Sequence, residues 1–467
     1  MPKPNLTRRE FLAASGWMSA PAVLARGGEA QPRSRRNVLF IFSDQQHKFA
    51  LGCMGNRDVR TPHLDRMARE GVLFRNCYSS NPVCGPYRCS VLTGRYASTT
   101  GCWNNGQPLP GDGRNLPEVL ERHGIHTSWV GKWHIGGNGN KPIPAELRGG
   151  FTDFIGYQCY NGFHQNVCFY DESGQEHRFD RHRTEVTTDL AIERLGKAAA
   201  GGKPFVQLVS YQAPHYPVQP LPEYESLYTG KPMKKRPSYQ PTEPYTPTFD
   251  PPSPKPPGKD PDYQRYGGNM DEYMRLYYGM CSQVDAGVGR ILKALDRLGL
   301  AGDTLVLFSS DHGDMQGCHG LKNKTLPHEE SAGIPCIARV PGGHQGRVCS
   351  VPVGSVDVYP TILDWCGVRL EDAPWAEGRS LAPYLSGRSP LAEEPVFSEC
   401  NNEGSRWHSV RVGKYKLAAR RARESRELKP WLLFDLEKDP YEMSNLVNSE
   451  SYGPKIQQLM NLLGRFA

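Results

Sequence analysis

Four apolar segments of the sequence are each followed by polar residues of the types that bind metals or transfer protons. These residues are Asp44, the pair Lys132 and His134, His215, and the pair Asp311 and His312. A single Asp after a strand is often a helix cap, and a single His is more often structural than catalytic. The carboxyl ends of parallel strands, however, meet at one edge of an open sheet, where distant residues converge. The four groups together therefore predict one functional site.

The segment from Cys84 to Arg95, CGPYRCSVLTGR, carries the most specific pattern in the chain. Pro86 suits the first turn of a helix, so Cys84 would lie at the positive end of that helix. Such an end attracts anions, and Arg88 in the next turn can direct its guanidinium to the same place and neutralise an oxyanion there. The alternative interpretation is a buried cysteine beside a helix start. The combination of cysteine, proline and arginine favours a site for an anion.

This segment resembles the signature of the type I, formylglycine-dependent sulfatases of the alkaline phosphatase superfamily. That signature reads C-x-P-x-R and continues with Thr-Gly-Arg at the spacing of Thr93 to Arg95. The resemblance implies that a separate formylglycine-generating or sulfatase-maturing enzyme oxidises Cys84 to an aldehyde. One hydroxyl of the hydrated aldehyde would attack sulfur, and the other would expel sulfate. A serine lacks the second hydroxyl and would be trapped as a stable ester.

The resemblance extends over nearly the whole chain after its N-terminal segment, and it implies further catalytic roles. Lys132 and Lys324 match lysines that bind the sulfate oxygens. His134 matches a histidine that contacts the formylglycine diol and can remove its proton during sulfate release. His215 matches a histidine that faces the leaving group, where it would act as general acid or bind the ester oxygen.

The resemblance also implies a metal site built from Asp44, Gln45, Asp311, His312 and the modified Cys84. Oxygen-rich ligands favour a hard cation, and the family usually holds Ca²⁺. Many relatives have a second Asp where Gln45 stands and an Asn where His312 stands. The departure removes one negative charge and admits Mn²⁺ or Mg²⁺ as alternatives. The same pair of residues occurs in relatives that include choline sulfatases and phosphonate monoester hydrolases.

The pattern around these motifs predicts an α/β fold. Apolar, β-prone runs predict strands over 37–43, 125–130, 205–210 and 304–309. Helices are predicted from Thr61-Pro62 to Gly71 with Thr61 as the cap, from near Pro86, and over 116–123 and 271–298. Strands that alternate with helices indicate a mainly parallel sheet covered on both faces. The resemblance adds that the central sheet is large, mixed and sandwiched by helices, with a smaller C-terminal antiparallel sheet.

Changes in composition divide the rest of the chain into predicted regions. Residues 36–378 would form the catalytic domain, interrupted over 216–263 by a proline-rich excursion without regular structure. Residues 379–467 would form a C-terminal subdomain. Within it, 407–417 and 431–436 are predicted to be antiparallel strands, and Met443–Leu446 would lead to a final helix.

The N-terminal residues 1–30 have the features of a twin-arginine signal peptide. Arg8 and Arg9 precede Phe11-Leu12 and a moderately apolar run that ends at Ala25. This run is too short and too rich in small residues to be a spanning helix. The alternative is a disordered basic tail. The signal peptide predicts a periplasmic or secreted enzyme, and no later segment predicts a membrane span.

The thirteen cysteines show no CxxC pair and no zinc-binding spacing. Because twin-arginine substrates usually fold before export, several thiols are expected to be simply buried. Disulfides stay open as an alternative, since their pairing cannot be deduced from the sequence.

The mild formal charge of +7 and the lack of zinc-finger or RNA-binding signatures argue against a nucleic-acid partner. The first functional hypothesis is hydrolysis of a sulfated carbohydrate, and the second is hydrolysis of an aryl sulfate. A phosphonate monoester or phosphodiester hydrolase on the same scaffold is an alternative. A glycan-binding protein with an unmodified Cys84 is a further alternative. His319, His328 and Glu329 are weaker candidates for substrate contacts.

Overall fold

The computed structural model describes residues 36–241, 265–402, 405–421 and 427–466. The predicted signal peptide at 1–30 and residues 242–263 of the predicted excursion lie outside these ranges. The described part of the excursion contains a single helical turn over Pro222–Glu225, where a proline opens the turn. The prediction of no regular structure was therefore wrong for these four residues. No helix among the described residues is long and apolar enough to cross a membrane.

A ten-stranded mixed sheet forms the centre of the protein. From edge to edge its strands are β12 (Arg347–Cys349), β2 (Val72–Phe74), β11 (Cys336–Arg339), β9 (Thr304–Ser310), β1 (Asn37–Asp44), β8 (Phe205–Pro214), β4 (His126–Lys132), β5 (Asp153–Tyr157), β6 (Val167–Asp171) and β7 (Glu176–Phe179). The five strands from β9 to β5 are mutually parallel, and antiparallel pairs occur toward both edges. The predicted large, mixed and mainly parallel sheet is confirmed.

Strand β1 shows why the centre of the sheet is parallel and covered on both faces. All eight of its residues are buried, as expected for a strand with helices on both sides. Alternate side chains enter different apolar cores, with Leu39 and Ile41 in one core and Val38 and Phe40 in the other. A continuous apolar run in the sequence therefore corresponds to a strand without a solvent-exposed face.

Helices cover the two faces of the sheet and supply the rest of both cores. The helices are α1 (Pro62–Arg69), α2 (Cys84–Thr93), α3 (Ala97–Thr100), α4 (Leu116–Arg122), α5 (Arg183–Gly201), α6 (Pro222–Glu225), α7 (Met270–Arg297), α8 (Val358–Trp365), α9 (Ala382–Leu385) and α10 (Gly453–Phe466). Single 3₁₀ turns lie at Gly52–Met54, Ala145–Leu147, Ala301–Asp303, Ser355–Asp357, Leu370–Asp372 and Glu450–Tyr452. Helices α1, α5 and α7 pack on one face, whereas α2, α4 and α8 pack on the other.

Two smaller sheets complete the described structure. The first joins β10 (Gly333–Ile334), β3 (Cys77–Tyr78) and β13 (Val353–Gly354). The second is antiparallel and contains β14 (Val396–Asn402), β15 (Ser405–Val412), β16 (Tyr415–Arg421) and β17 (Leu428–Asp435). Helix α10 packs on this second sheet through apolar side chains of its last two turns. The predicted C-terminal antiparallel sheet is confirmed.

The C-terminal sheet corrects one predicted strand. Residues 407–417 were predicted as a single strand, but the structure divides them between β15 and β16. The reversal lies at Gly413, which has a positive φ of 51°, a conformation that glycine adopts without strain. Apolar alternation continues on both sides of this two-residue turn, so the hydrophobic pattern did not reveal the hairpin.

The start of α1 corrects a second detail. The helix begins at Pro62 as predicted, but the side chain of Thr61 does not cap it. Instead, Oγ1 of Thr61 accepts the backbone N–H of Gly52 at 2.9 Å and donates to Asp65 at 3.1 Å. A tertiary contact has therefore replaced the local cap.

All thirteen cysteines are free thiols, and ten of them are buried. The expectation of simply buried thiols is therefore confirmed. Their burial is consistent with the behaviour of a cysteine side chain as a small apolar group.

Candidate active site

The predicted site residues lie at the carboxyl ends of neighbouring strands in the large sheet. β1 ends at Asp44, β4 ends at Lys132, and β9 is followed directly by Asp311. β8 ends at Pro214, which places His215 at the same edge. Because these four strands are adjacent and parallel, their ends converge. The structure thus brings together groups that are up to 267 positions apart along the chain.

Cys84 is the first residue of helix α2, and its side chain is buried in this cluster. Its sulfur lies 3.2 Å from Nζ of Lys324, 3.3 Å from Nε2 of His312 and 3.6 Å from Oδ1 of Asp44. Burial raises the pKa of the Cys84 thiol, but the charges of Lys132, Lys324 and His312 hold that pKa well below its usual range. The sulfur therefore occupies a position where negative charge is stabilised.

The N-terminus of α2 is fixed by a residue that follows the signature. Oδ1 of Asn105 accepts the backbone N–H of Gly85 at 2.8 Å. A Cβ atom at Gly85 would lie 3.1 Å from both Cα of Asn105 and the carbonyl oxygen of His134. The glycine after Cys84 therefore allows the helix end to approach the His134 segment closely.

Four potential metal ligands surround one point in the site. Ligand atoms of Asp44, Cys84, Asp311 and His312 all lie within 4.8 Å of one another, and all four residues are buried. Nδ1 of His312 donates to the carbonyl oxygen of Gly313 at 2.9 Å, so Nε2 is the ring nitrogen that faces the site. Two carboxylates and an imidazole suit a divalent cation, with Cys84 at the position of the fourth ligand.

The two carboxylates also show that the site favours an added positive charge. Burial and the neighbouring Asp44 raise the pKa of Asp311 to about 6. Burial and the Cys84 sulfur would raise the pKa of Asp44 as well, but the charges of Lys132 and Lys324 keep it below its usual range. The pKa of Asp311 is raised and that of Asp44 is lowered because both carboxylates are buried and repel each other, and only Asp44 is well compensated by the lysines. A divalent cation between them would stabilise both in the ionised form.

Arg88 supports the two carboxylates. Its Nη2 donates to Oδ2 of Asp44 at 3.1 Å and to Oδ2 of Asp311 at 3.4 Å. Its Nη1 donates to the carbonyl oxygen of Lys132 at 2.8 Å and to the hydroxyl of Ser210. The sequence predicted that this guanidinium returns toward Cys84. The structure places it in the cluster, where it neutralises the carboxylates that face the sulfur.

Two lysines contribute positive charge beside the sulfur of Cys84. Nζ of Lys132 donates to Oδ2 of Asp44 at 2.5 Å. Nζ of Lys324 donates to Cys84 and also to Oε1 of Gln45, the latter at 3.3 Å. Burial lowers the pKa of Lys324, but Cys84 and Asp44 outweigh burial and raise it to about 12. Both ammonium groups therefore remain charged and can hold an anionic substrate group.

The two histidines differ in how they are held. His134 has a left-handed backbone with φ of 58°, and its Nε2 lies 2.9 Å from Oδ1 of Asn138. Nδ1 of His215 donates to the carbonyl oxygen of Tyr216 at 2.7 Å, and its Nε2 accepts from Lys324 at 3.3 Å. Burial and the charge of Lys324 lower the pKa of His215 to about 4. His215 is therefore a neutral imidazole at neutral pH.

Gln45 lies beside the ligand cluster in a left-handed conformation with φ of 65°. Its backbone N–H donates to Oδ1 of Asp311 at 3.0 Å, and its Nε2 donates to Oδ2 of Asp314 at 3.1 Å. Its Oε1 accepts from Lys324. The hydrogen bond to Asp314 fixes the orientation of the amide, so that its oxygen faces Lys324. Direct ligation of a metal by Gln45 stays a prediction.

The sequence interpretation did not predict the supporting roles of four residues. They are Asn105, Asn138, Ser210 and Asp314, which hold the helix end, His134, Arg88 and Gln45 respectively. Ser210 and Asp314 lie close in sequence to predicted site residues, and this proximity was the only sequence feature that could have indicated their roles. Single polar residues at these positions resemble ordinary surface or cap residues, so spacing alone did not distinguish them.

The weaker candidates belong to a different cluster. Glu329 forms buried ion pairs with Lys48 and Lys416. The rings of His319 and His328 lie 4.6 Å apart beside this network. Lys416 belongs to strand β16, so the network connects the C-terminal sheet to the large sheet. These contacts indicate a structural role for Glu329.

A buried cysteine at a helix N-terminus, between potential metal ligands and two lysines, is an arrangement suited to the hydrolysis of anionic esters. Comparison with known families gives the same class. The Sulfatase family model matches residues 36–368, and the model for the C-terminal region of N-sulphoglucosamine sulphohydrolase matches residues 317–466. The chain belongs to the sulfatase family of the alkaline phosphatase superfamily. It is an enzyme, a sulfatase.

Individual relatives agree over nearly the whole chain. An ulvan-active sulfatase of Formosa agariphila is 28% identical, covering 92% of this chain and 80% of its own length. An N-acetylglucosamine-6-O-sulfatase of Bacteroides thetaiotaomicron is 27% identical, covering 93% and 87%. Among solved structures, the yidJ protein of Bacteroides fragilis superposes with a TM-score of 0.80 at 26% identity, covering 94% and 97%.

The fold is also shared with a phosphonate monoester hydrolase of Agrobacterium radiobacter. Its structure superposes with a TM-score of 0.71 at 23% identity, covering 93% of this chain and 96% of its own. This likeness concerns the scaffold. The two enzyme classes therefore have to be distinguished by reactions rather than by the fold.

Proposed function

We propose that this sulfatase releases inorganic sulfate from a sulfated carbohydrate through a formylglycine made from Cys84. The observation that carries the proposal is the position of Cys84, whose sulfur contacts Lys324, His312 and Asp44 at the N-terminus of α2. A maturing enzyme would supply the aldehyde. The carbohydrate class is supported by the two relatives described above, an ulvan-active sulfatase and an N-acetylglucosamine-6-O-sulfatase.

The residues of the cluster fit a divalent cation. Asp44, Asp311 and His312 would hold it, with Gln45 and the modified Cys84 as the remaining predicted ligands. Ca²⁺ is the first choice for a site rich in oxygen, and Mn²⁺ or Mg²⁺ are alternatives because an imidazole replaces an amide. When bound, the cation supplies Lewis acidity toward the sulfate oxygens.

The side chains of this chain would divide the remaining work. Lys132 and Lys324 would bind and orient the sulfate group, since both carry a charge in a buried setting. Nδ1 of His134 is buried and without a hydrogen-bond partner among the described residues, so it is placed to accept a proton from residue 84. His215, held by Tyr216, would contact the ester oxygen of the leaving alcohol. A negative substrate raises the proton affinity of this imidazole and allows it to act as an acid.

The proposal is tested by measuring sulfate release from 4-nitrophenyl sulfate and from a panel of sulfated mono- and oligosaccharides. We expect sulfate from at least one saccharide with a higher kcat/KM than from the aryl ester. A preference for the aryl ester would favour the aryl sulfatase hypothesis and remove the carbohydrate assignment.

A second candidate function is hydrolysis of phosphonate monoesters or phosphodiesters. The observation that favours it is the pair Gln45 and His312, which matches the variant shared with phosphonate monoester hydrolases. The same assay with a 4-nitrophenyl phosphonate monoester and a phosphodiester separates the two reactions. The sulfatase proposal predicts a larger kcat/KM for sulfate esters, whereas a larger value for either phosphorus ester would replace it.

We further propose export of the folded enzyme by the twin-arginine route. The proposal rests on Arg8, Arg9 and the apolar run that follows them. Replacement of both arginines by lysine is expected to retain the enzyme in the cytoplasm of its native host. Equal periplasmic amounts of the variant and the parent protein would contradict this route.

A further inference from the structure

A pocket beside the active site has the composition of a binding site for an anionic chain. This cavity of about 820 Å³ is lined by five basic residues, and we call it the basic groove. Its basic residues are Arg57, Arg75, Lys234, Lys235 and Arg236. None of them takes part in the cluster around Cys84.

The cations at the rim of the basic groove are not neutralised by nearby acids. Arg57, Arg75 and Lys234 are exposed, and among the described residues none of the three forms an ion pair. The other two basic residues are paired, Lys235 with Asp271 and Arg236 with Glu330.

The acidic members of the groove lining do not cancel this charge. They are Asp58, Asp314 and Glu330. Glu330 is engaged by Arg236, and Asp314 is buried and accepts several hydrogen bonds. Asp58 accepts the backbone N–H of Lys234 at 3.0 Å. The groove therefore keeps an excess of positive charge at its opening.

Aromatic rings line the same groove. The guanidinium of Arg236 lies 3.4 Å from the ring centre of Phe49 and 5.1 Å from that of Tyr441. Tyr441 is one of the few large apolar side chains that are exposed, at 37% of its surface. Tyr239 contributes a further ring to the lining. The exposed ring of Tyr441, beside cations that form no ion pair with any described residue, suits a ligand that offers both ring faces and anionic groups, as a sulfated sugar does.

The basic groove is separated from the catalytic cluster by one layer of side chains. Asp314, which lines the groove, accepts from Gln45 at 3.1 Å, and Gln45 in turn accepts from Lys324 at 3.3 Å. Lys324 contacts the sulfur of Cys84. The basic groove and the catalytic cluster are therefore close neighbours in the fold.

We propose that the basic groove binds a second sulfated sugar of the same polysaccharide whose ester is cleaved at Cys84. This inference rests on the proposed carbohydrate substrate and adds that the substrate is a polyanionic chain rather than a single sulfated sugar. Binding there would be largely electrostatic, so it weakens as salt concentration rises. The groove would thereby select chains with several sulfate groups.

The test is equilibrium binding of chondroitin sulfate octasaccharides to the full chain carrying Cys84→Ala, which prevents turnover. Arg57→Glu combined with Lys234→Glu is expected to weaken binding at least about tenfold and to reduce its salt dependence. The matched control combines Lys293→Glu with Arg388→Glu, which changes the net charge equally. Both control residues are exposed and lie outside the groove lining. The control is expected to bind as the parent does.

Equal weakening in the two double variants would show a general charge effect and overturn the groove assignment. Unchanged affinity in the groove variant would overturn it as well. Binding of double-stranded DNA with the same dependence on Arg57 and Lys234 would overturn the glycan assignment. Lys234→Gln provides a milder variant, expected to weaken binding in the same direction, if the double substitution perturbs folding. Because binding is measured without turnover, failure of the proposed hydrolysis would be detected separately.

Discussion

Cys84 illustrates how much of the chemistry depends on the surroundings of one side chain. A thiol is a poor nucleophile for sulfate esters, and the proposed aldehyde would be no better without charges around it. The contacts with Lys324, His312 and Asp44 supply these charges at 3.2, 3.3 and 3.6 Å. Each of these neighbours is itself held by a further residue, so substitution of those supporting residues also tests the proposed site.

Ser210 offers the first test at the residue scale. Its hydroxyl accepts from Arg88 and donates to the carbonyl oxygen of Lys132 at 2.7 Å. Ser210→Ala removes a partner of Arg88, so we expect kcat/KM for a sulfate ester to fall about tenfold, the equivalent of one hydrogen bond. Ser309→Ala is the matched control, because Ser309 is buried near the end of β9, on the far side of β1, and donates to the carbonyl oxygen of Pro335. Equal losses of activity in the two variants would contradict the role of Ser210.

The cation site gives the second residue-scale prediction. Because Asp311 is a buried carboxylate beside Asp44, a bound divalent cation should raise the melting temperature of the folded protein. Asp311→Asn is expected to abolish the rise produced by saturating Ca²⁺, as measured by differential scanning fluorimetry after removal of metals with a chelator. Glu437→Gln, on the surface of the C-terminal sheet, should leave the rise intact. A Ca²⁺-dependent rise that persists in Asp311→Asn would place the cation elsewhere.

At the scale of elements, the strands that carry the site were predictable and some of their connections were not. The apolar runs of β1, β4, β8 and β9 indicated strands, and the polar residues after them indicated the site. The Cys84 segment indicated the nucleophile helix. The hairpin at Gly413 was not predictable, because apolar alternation continues through it. The hydrogen bond that Asn105 accepts from Gly85 at the start of α2 was not predictable either, since it depends on how the chain folds back between these two residues.

The ion network between the large sheet and the C-terminal sheet gives a prediction for element docking. Lys416 is buried and pairs with Glu329 at 2.8 Å and with Glu442 at 2.5 Å. Lys416→Met leaves two buried carboxylates short of a partner, so we expect the free energy of unfolding to fall by about 3 kcal/mol. Lys414→Met is the control, since Lys414 lies two residues away and is partly exposed. A similar small effect in both variants, measured by urea unfolding, would show that the network does not stabilise the docking.

Glu399 on β14 gives a pH-dependent prediction. Burial raises the pKa of Glu399 to about 8 in the folded protein, well above the value of about 4.3 for an unfolded chain. The folded state therefore keeps a proton that the unfolded state releases, and this stabilisation is lost as pH rises through that window. We expect Glu399→Gln to reduce the loss of stability between about pH 5 and pH 8, by at most about 1.4 kcal/mol per pH unit. Parallel stability curves of the variant and the parent protein would contradict this expectation.

The whole molecule combines a catalytic edge, a basic groove and thirteen free thiols, ten of them buried. The sheet brings the site residues together, and the C-terminal sheet packs against the same edge through the Glu329 network. Free thiols throughout the chain mean that conversion of one cysteine can be measured against the other twelve. The twelve other thiols thus serve as an internal reference for the modification at Cys84.

The most direct measurement is peptide mass spectrometry of active protein from its native host, denatured and alkylated without reduction. We expect residue 84 to carry an aldehyde in its peptide, whereas the other twelve cysteines are alkylated. We also expect the rate of sulfate release across preparations to be proportional to the aldehyde-bearing fraction. An alkylated thiol at Cys84 throughout a preparation that releases sulfate at full rate would contradict the formylglycine mechanism.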